Sequence, residues 1–292
     1  MSIGPHIVAL YEQMARDRLI WPGMAVCELG SQDVHAAGRE ELIERLFQTM
    51  KLAPPTTEQL RVLSECPGRE FYSALQCSYK CIDVNGRHGA IAIDLNFDSV
   101  PQSEKGQYDL VTNLGTADHV FADANAFAVA HDLAKRDGLI LHFAPFLGYV
   151  DHGFRNYQPN LFYAVARANG YDFLGLWLKI LRPNAGSLIP FERRLLDVIA
   201  PNTDAELVAL YRKPHEFAFN VPFQRQYEAS LQREAALRYR YIVDGDAISG
   251  ALVRDTVVNR QFHLHQLRFR DMVRITVKEF VNRVTRRRRS HV

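Results

Sequence analysis

The sequence predicts an α/β fold: an open sheet of mainly parallel strands flanked by helices. Three observations lead there. Short apolar runs recur along the first half of the chain, among them Val26–Leu29, Tyr79–Ile82, Ala90–Ile93, Tyr108–Thr112 and Gly138–Phe143. Most of them stop at a polar residue or a turn: Glu28-Leu29-Gly30, Asp83 before Asn85-Gly86, Asp94, and Asn113 before Leu114-Gly115-Thr116. Runs this short and this apolar suit buried parallel strands. Helical patterns separate several of them, as crossover connections require.

Elements follow in chain order. Residues 5–19 place Ile7, Leu10, Tyr11, Met14 and Leu19 on one helical side, with Pro5 suited to a first turn. The Trp21-Pro22-Gly23 break precedes the first strand. Residues 37–51, 56–64 and 69–76 read as inserted helices, 119–135 as a helix with Asp118 at its cap, and 159–169 as a helix opening at Pro159. Leu174–Ile180 and Glu206–Lys213 read as closing antiparallel strands, and the connection between them carries a helical 191–199. In an open sheet of this kind, polar residues at the C-terminal strand ends share one edge, where ligands bind. Gly30 lets the main chain come close to a ligand there.

Taken in this order, Glu28-Leu29-Gly30, Asp83, Asp94, Asn113-Leu114-Gly115-Thr116 and Asp137-Gly138-Leu139-Ile140 resemble the class I S-adenosylmethionine-dependent methyltransferases, over roughly residues 20–215. The resemblance implies a Rossmann-like seven-stranded methyltransferase sheet with S-adenosyl-L-methionine as cofactor. It places Glu28, Gly30 and Ser31 beside the methionine part, Asp83 with Val84 on the ribose, Asp94 with Leu95 at the adenine, and Asn113, Leu114 and Gly115 at the edge of the transfer site. Three departures stand out. Gln32 replaces the usual second glycine of the first motif. Asp83 comes far later than the roughly 20 residues typical of nucleotide-binding units. The fourth motif is Asn-Leu-Gly-Thr rather than Asn-Pro-Pro-aromatic, which argues against DNA as the substrate.

A second constellation, residues 148–159, follows the fifth run and carries Tyr149, Asp151, His152, Arg155, Asn156 and Tyr157. Loops at that edge carry function. The resemblance gives this loop the acceptor pocket, with Tyr149, Arg155, Asn156 and Tyr157 as substrate contacts. His152 is the candidate base and His119 its competitor, since imidazole titrates near neutrality; either could instead pack or cap. His142, inside an apolar run, reads as a core histidine. His263 and His265 lie two apart, which turns them to different helix sides and disfavours a metal pair.

The chain has 292 residues, 47% of them hydrophobic, and a formal net charge of +2. That length and composition allow a large domain with an extension, read as 1–215 plus a mostly helical 216–292. No apolar run approaches the ~20 residues that span a bilayer, and the N-terminus lacks the signal-peptide pattern. The four cysteines form no Cys-x-x-Cys pair, so the simple reading is buried thiols in a cytoplasmic protein and no zinc site. From Arg254 onward, basic residues dominate and end in Arg286-Arg287-Arg288-Arg289, while Val273, Val277, Phe280, Val281 and Val284 recur at helical spacing. Such a stripe packs on the domain or on a second subunit in a homodimer. The alternative is peripheral contact with an anionic inner membrane surface.

The sequence thus points to methyl transfer onto a small-molecule or glycan acceptor, at a hydroxyl oxygen. Two other classes remain. A nicotinamide oxidoreductase would show Gly-x-Gly-x-x-Gly, where this chain has only Gly30. A degenerate methyltransferase fold could serve as a non-catalytic binding or scaffold subunit.

Overall fold

The computed structural model describes residues 2–180, 188–197, 199, 203–239 and 241. The basic C-terminal stripe, the four terminal arginines and His263-x-His265 lie outside the described residues.

A seven-stranded sheet organises the chain in the order β2-β1-β3-β4-β7-β5-β6. The strands are β1 (Ala25–Leu29), β2 (Ser78–Ile82), β3 (Tyr108–Leu114), β4 (Ala134–Leu147), β5 (Asp172–Ile180), β6 (Leu188–Pro190) and β7 (Ala205–Lys213). β1 runs parallel to β2 and β3, and β3 to β4. β7 is antiparallel to both of its neighbours, β4 and β5, and β6 closes the far edge antiparallel to β5.

One face of the sheet packs against α1 (Pro5–Arg16), α2 (Glu40–Thr49), α3 (Thr57–Leu63) and α4 (Gly68–Ala74). Ile7, Leu10, Leu42, Leu46 and Phe71 meet Val26, Leu110, Leu141 and Val208 there. α5 (Asp123–Leu133) and α6 (Pro159–Ala168) cover the other face, where Phe127, Ala130, Phe162 and Val165 meet Cys27, Val111, Ile140 and Leu207. Burying a side chain such as Phe162 contributes roughly 1.5–3 kcal/mol. The local signals agree with this packing: Pro5 and Pro159 open α1 and α6, and Thr56 with Gln59 forms a capping box on α3, a device whose loss costs about 1 kcal/mol.

Two expected elements form differently. Ala90–Asp94 is not a strand; only Ile91 bridges, parallel, to Ile82. The run stops because the Asp94 carboxylate accepts from the backbone and side chain of Asn96 while the Asp98 carboxylate accepts from Asp94 N–H, which turns the chain. Leu188–Pro190 completes the strand count at the opposite edge. The expected helix 119–135 is also split. Residues 117–119 form a 3₁₀ turn, and α5 starts only at Asp123. Asp118 caps nothing; the Ala122 N–H goes instead to Asn96 Oδ1 at 3.1 Å.

Past β7 a short α7 (Arg233–Ala236) follows a 3₁₀ turn at Arg225–Ser230. This stretch lies against the domain: Phe217 O meets His131 Nε2 at 2.6 Å, and Arg167 pairs with Glu228. No described helix is long and apolar enough to cross a membrane.

Candidate active site

The C-terminal ends of the parallel strands are laced together. Gly30 N–H donates to Ile82 O at 2.7 Å, and Ser31 N–H to Asp83 Oδ2 at 3.2 Å, which holds β1 and β2 at their tips. On the other side, the Thr116 hydroxyl donates to Leu29 O at 2.6 Å. Gly30 has φ +81°, and a Cβ there would lie 2.5 Å from Thr116 Oγ1 and 2.9 Å from Gln32 Nε2. The turn therefore requires glycine for both its conformation and its close approach. Gln32, two residues after Gly30, donates to Thr116 Oγ1 at 3.3 Å and is itself buried.

Glu28 sits behind this turn. It is fully buried and accepts from Tyr79 at 2.8 Å and Tyr72 at 3.1 Å, and Gln32 N–H also bonds it. Burial lifts its carboxyl to about 7. Glu28, expected beside the cofactor, braces the loop from inside. Asp83 does reach the edge, half-buried, accepting from Ser31 and Asn85 N–H. Val84 beside it is exposed. Asp94 shapes its own turn, while Leu95 is buried and its carbonyl accepts from the Asn125 amide at 2.9 Å.

Asn113, expected at the edge of the transfer site, lies near the end of β3. Its amide is buried and engaged at both ends, receiving Thr116 and Ala117 N–H on Oδ1 and meeting His142 Nδ1 at 3.0 Å. It bends the chain after β3. Leu114 and Gly115 are buried in the same bend. His142 is a core histidine, kept neutral as burial lowers its pKa to about 3.

The bend delivers Asp118, which sequence reading took for a cap. Its side chain is 1% exposed and neither carboxylate oxygen has a hydrogen-bond partner. Burial raises its pKa, with His119 and His152 pulling the other way. Asp118 Oδ2 lies 3.4 Å from His119 Nε2 and 3.8 Å from His152 Nε2. The two imidazoles, both partly exposed, meet edge-on with centroids 4.9 Å apart. Both candidate histidines are thus gathered around an acid that the sequence suggests only as a helix cap. The only sequence signal for Asp118 was its position directly after the Thr116 turn.

The 148–158 loop folds over Asp118. Phe154 N–H donates to Asp118 O at 2.7 Å, and a Cβ on Gly153 would come within 2.8 Å of that same oxygen. Tyr149, at φ +51°, gives its hydroxyl to Glu206 and turns its ring edge-on to His152 at 5.1 Å. Glu206 is buried and paired with Lys179 at 2.8 Å. Arg155 is exposed, 5.6 Å above the Phe121 ring, and Phe121 stands edge-on to Phe154. Asn156 ties the loop to Gly148 O at 2.8 Å. Tyr157, expected as a substrate contact, is buried between Phe127 and Phe162. A cavity of about 310 Å³ lies at the opposite sheet edge, lined by Arg18, Asp109, Arg136, Asp137 and Arg212 among others, away from the edge where open sheets of this kind bind ligands.

A parallel run closed by an antiparallel strand inserted next to its last member, with a glycine turn and acids at the shared edge, decides the architecture. This is the class I methyltransferase fold. No protein-family model matches the chain, and no curated protein sequence does. Among solved structures it is similar to Burkholderia thailandensis 1,6-didemethyltoxoflavin-N1-methyltransferase bound to 1,6-didemethyltoxoflavin and S-adenosylhomocysteine, with 14% identity, 72% of this chain and 80% of that chain covered, and a TM-score of 0.37. It is also similar to the methyltransferase in complex with the Trm112 activator of Haloferax volcanii (12%, 73% and 91%, TM-score 0.38). A third is Haemonchus contortus phosphoethanolamine N-methyltransferase 2, in complex with phosphomonomethylethanolamine and S-adenosylhomocysteine (11%, 70% and 52%, TM-score 0.40).

Proposed function

We propose that the chain transfers a methyl group from S-adenosyl-L-methionine to an oxygen of a small-molecule or glycan acceptor. The observation that carries this reading is the Asp118–His119–His152 cluster, two residues beyond the threonine that packs against the Gly30 turn. The sulfonium is already activated, so the protein's main contributions are proximity and alignment. The acceptor oxygen attacks the methyl carbon, and the carbon–sulfur pair stays on sulfur. An acceptor hydroxyl sheds its proton in this step, and the cluster is where that proton leaves. His152, on the covering loop, and His119, on the Thr116 turn, are its two basic groups. Asp83 takes the ribose hydroxyls, and the 94–95 turn meets the adenine. Phe121, Phe154 and Arg155 form a rim suited to a ring-bearing acceptor, aromatic or sugar.

Calorimetric titration with S-adenosylmethionine, S-adenosylhomocysteine and NADH tests the reading. Micromolar binding of the two sulfur compounds alone, weakened at least tenfold in Asp83→Ala, supports it. A second reading, a non-catalytic scaffold, draws on Gln32 and Thr116 crowding the Gly30 turn. A folded protein that binds none of the three compounds supports that reading and overturns the first.

A further inference from the structure

We infer that Asp118, His119 and His152 hold a divalent transition-metal ion at the mouth of the acceptor site. Its binding rests on geometry alone; what the ion does there rests on the methyl-transfer reading.

The three side chains each offer one ligand atom, and these atoms lie within 4.8 Å of one another. Ligands of a tetrahedral zinc-like ion stand about 3.3 Å apart, given metal–ligand bonds of about 2.0–2.2 Å. The two Asp118–His distances of 3.4 and 3.8 Å are already close to that. The second observation is independent of the spacing. The Asp118 carboxylate is buried, aimed at the two imidazoles, and without a hydrogen-bond donor on either oxygen. A buried carboxylate left so is costly unless a cation completes it. The surroundings hold it in place: the Asn113 amide fixes the turn before it, and Phe154 N–H grips its own carbonyl. Supported ligands of this kind are what metal sites need.

Two imidazoles with one carboxylate suit zinc, iron, cobalt or nickel, whereas magnesium and calcium favour oxygen donors throughout. Both imidazoles are partly exposed, so the remaining positions on the ion face outward, where an acceptor enters. A hydroxyl bound there becomes far more acidic, as metal-bound water does when its pKa falls to about 7. Its proton passes to water, its oxygen pair forms the new bond to the methyl carbon, and sulfur keeps the pair of the bond that breaks. In the loaded site His119 and His152 are therefore ligands rather than free bases.

The test uses the full chain, stripped with a chelator and dialysed, titrated with Zn²⁺ by calorimetry and with Co²⁺ by visible absorption. It is repeated on His119→Ala, His152→Ala and Asp118→Asn. Both histidines are partly exposed, so their variants keep the fold, which circular dichroism checks. The expected result is one ion per chain, a ligand-field band with Co²⁺, and at least tenfold weaker binding in each variant. Absence of binding overturns the inference. So does binding that is unchanged in both histidine variants, which would place the ion elsewhere in the chain. S-adenosylhomocysteine is titrated into the same samples. Its binding without Zn²⁺ binding ends the metal inference and leaves methyl transfer standing; the reverse result keeps the metal and ends methyl transfer.

Discussion

The Asn113 amide joins two regions that the sequence keeps 29 residues apart: it meets His142 Nδ1 at 3.0 Å while its oxygen collects the Thr116 and Ala117 N–H groups at 3.2 and 3.1 Å. With the amide nitrogen as donor, Nδ1 of His142 is the acceptor and the ring proton sits on Nε2. The bend that presents Asp118 thus hangs from the centre of the sheet. Asn113→Ala leaves buried backbone donors and a buried ring nitrogen without partners. Each such loss costs about 1–3 kcal/mol. The expected outcome is a lower urea midpoint together with weaker binding at the Asp118 cluster. A midpoint within error of the parent refutes this account of the bend.

Buried histidines set the acid side of the stability profile. His142 titrates at about 3 and His131 at about 4 in the folded chain, both lowered chiefly by burial, against about 6.5 when unfolded. Between those values the unfolded chain binds the extra protons. Stability is therefore complete above about pH 6.5 and falls on acidification, by up to about 1.4 kcal/mol per pH unit for each ring. Urea midpoints measured from pH 5 to 8 check the slope. It becomes shallower in His142→Asn; an unchanged slope refutes the assignment.

Glu28 acts in the opposite sense. Its folded value of about 7 exceeds the unfolded value of about 4.3, so its contribution is full at low pH and declines as pH rises from about 4 to 7. Glu28→Gln removes that decline. Relative to the parent, the variant gains stability between pH 5 and 8, on the order of 1–3 kcal/mol. Thermal melts at the two pH values measure it, and a difference independent of pH contradicts the buried-acid reading.

Gly153 and Arg155 separate loop placement from acceptor contact. Gly153→Ala pushes a methyl group into Asp118 O. It is expected to lower stability by about 1–2 kcal/mol, because the backbone has to shift to make room, and to lower turnover. Arg155→Ala leaves S-adenosylhomocysteine affinity unchanged and raises KM for an acceptor severalfold. Calorimetry and steady-state kinetics distinguish the two patterns; an effect of Arg155→Ala on S-adenosylhomocysteine affinity contradicts the rim assignment.

The sheet was legible because burial on both faces writes strands as uninterrupted apolar runs, and because parallel strands bring their C-terminal ends together whatever the sequence distance. Gly30 and Asp83 were placed at one edge in that way, and they meet at the tips of β1 and β2. For Glu28, Asn113 and Tyr157 the sequence shows that a polar or aromatic residue lies near the edge but not whether its side chain points out or back into the core, and all three are buried. Asp118 was hidden because its meaning comes from His152, 34 positions later, and from a loop that folds over it. Ala90–Asp94 has a strand's composition, but Asp94 and Asp98 offered its backbone a competing turn.

All four cysteines are free and buried, and three of them divide between the two sides of the sheet: Cys27 faces the α5–α6 side, Cys66 and Cys77 the α1–α4 side. Burial raises Cys66 and Cys77 to about 11, so neither is a ready thiolate at neutral pH. The chain therefore carries its own clock. A thiol reagent added to the native protein reacts only as fast as each layer opens, and mapping the label by mass tells which half of the molecule breathes first.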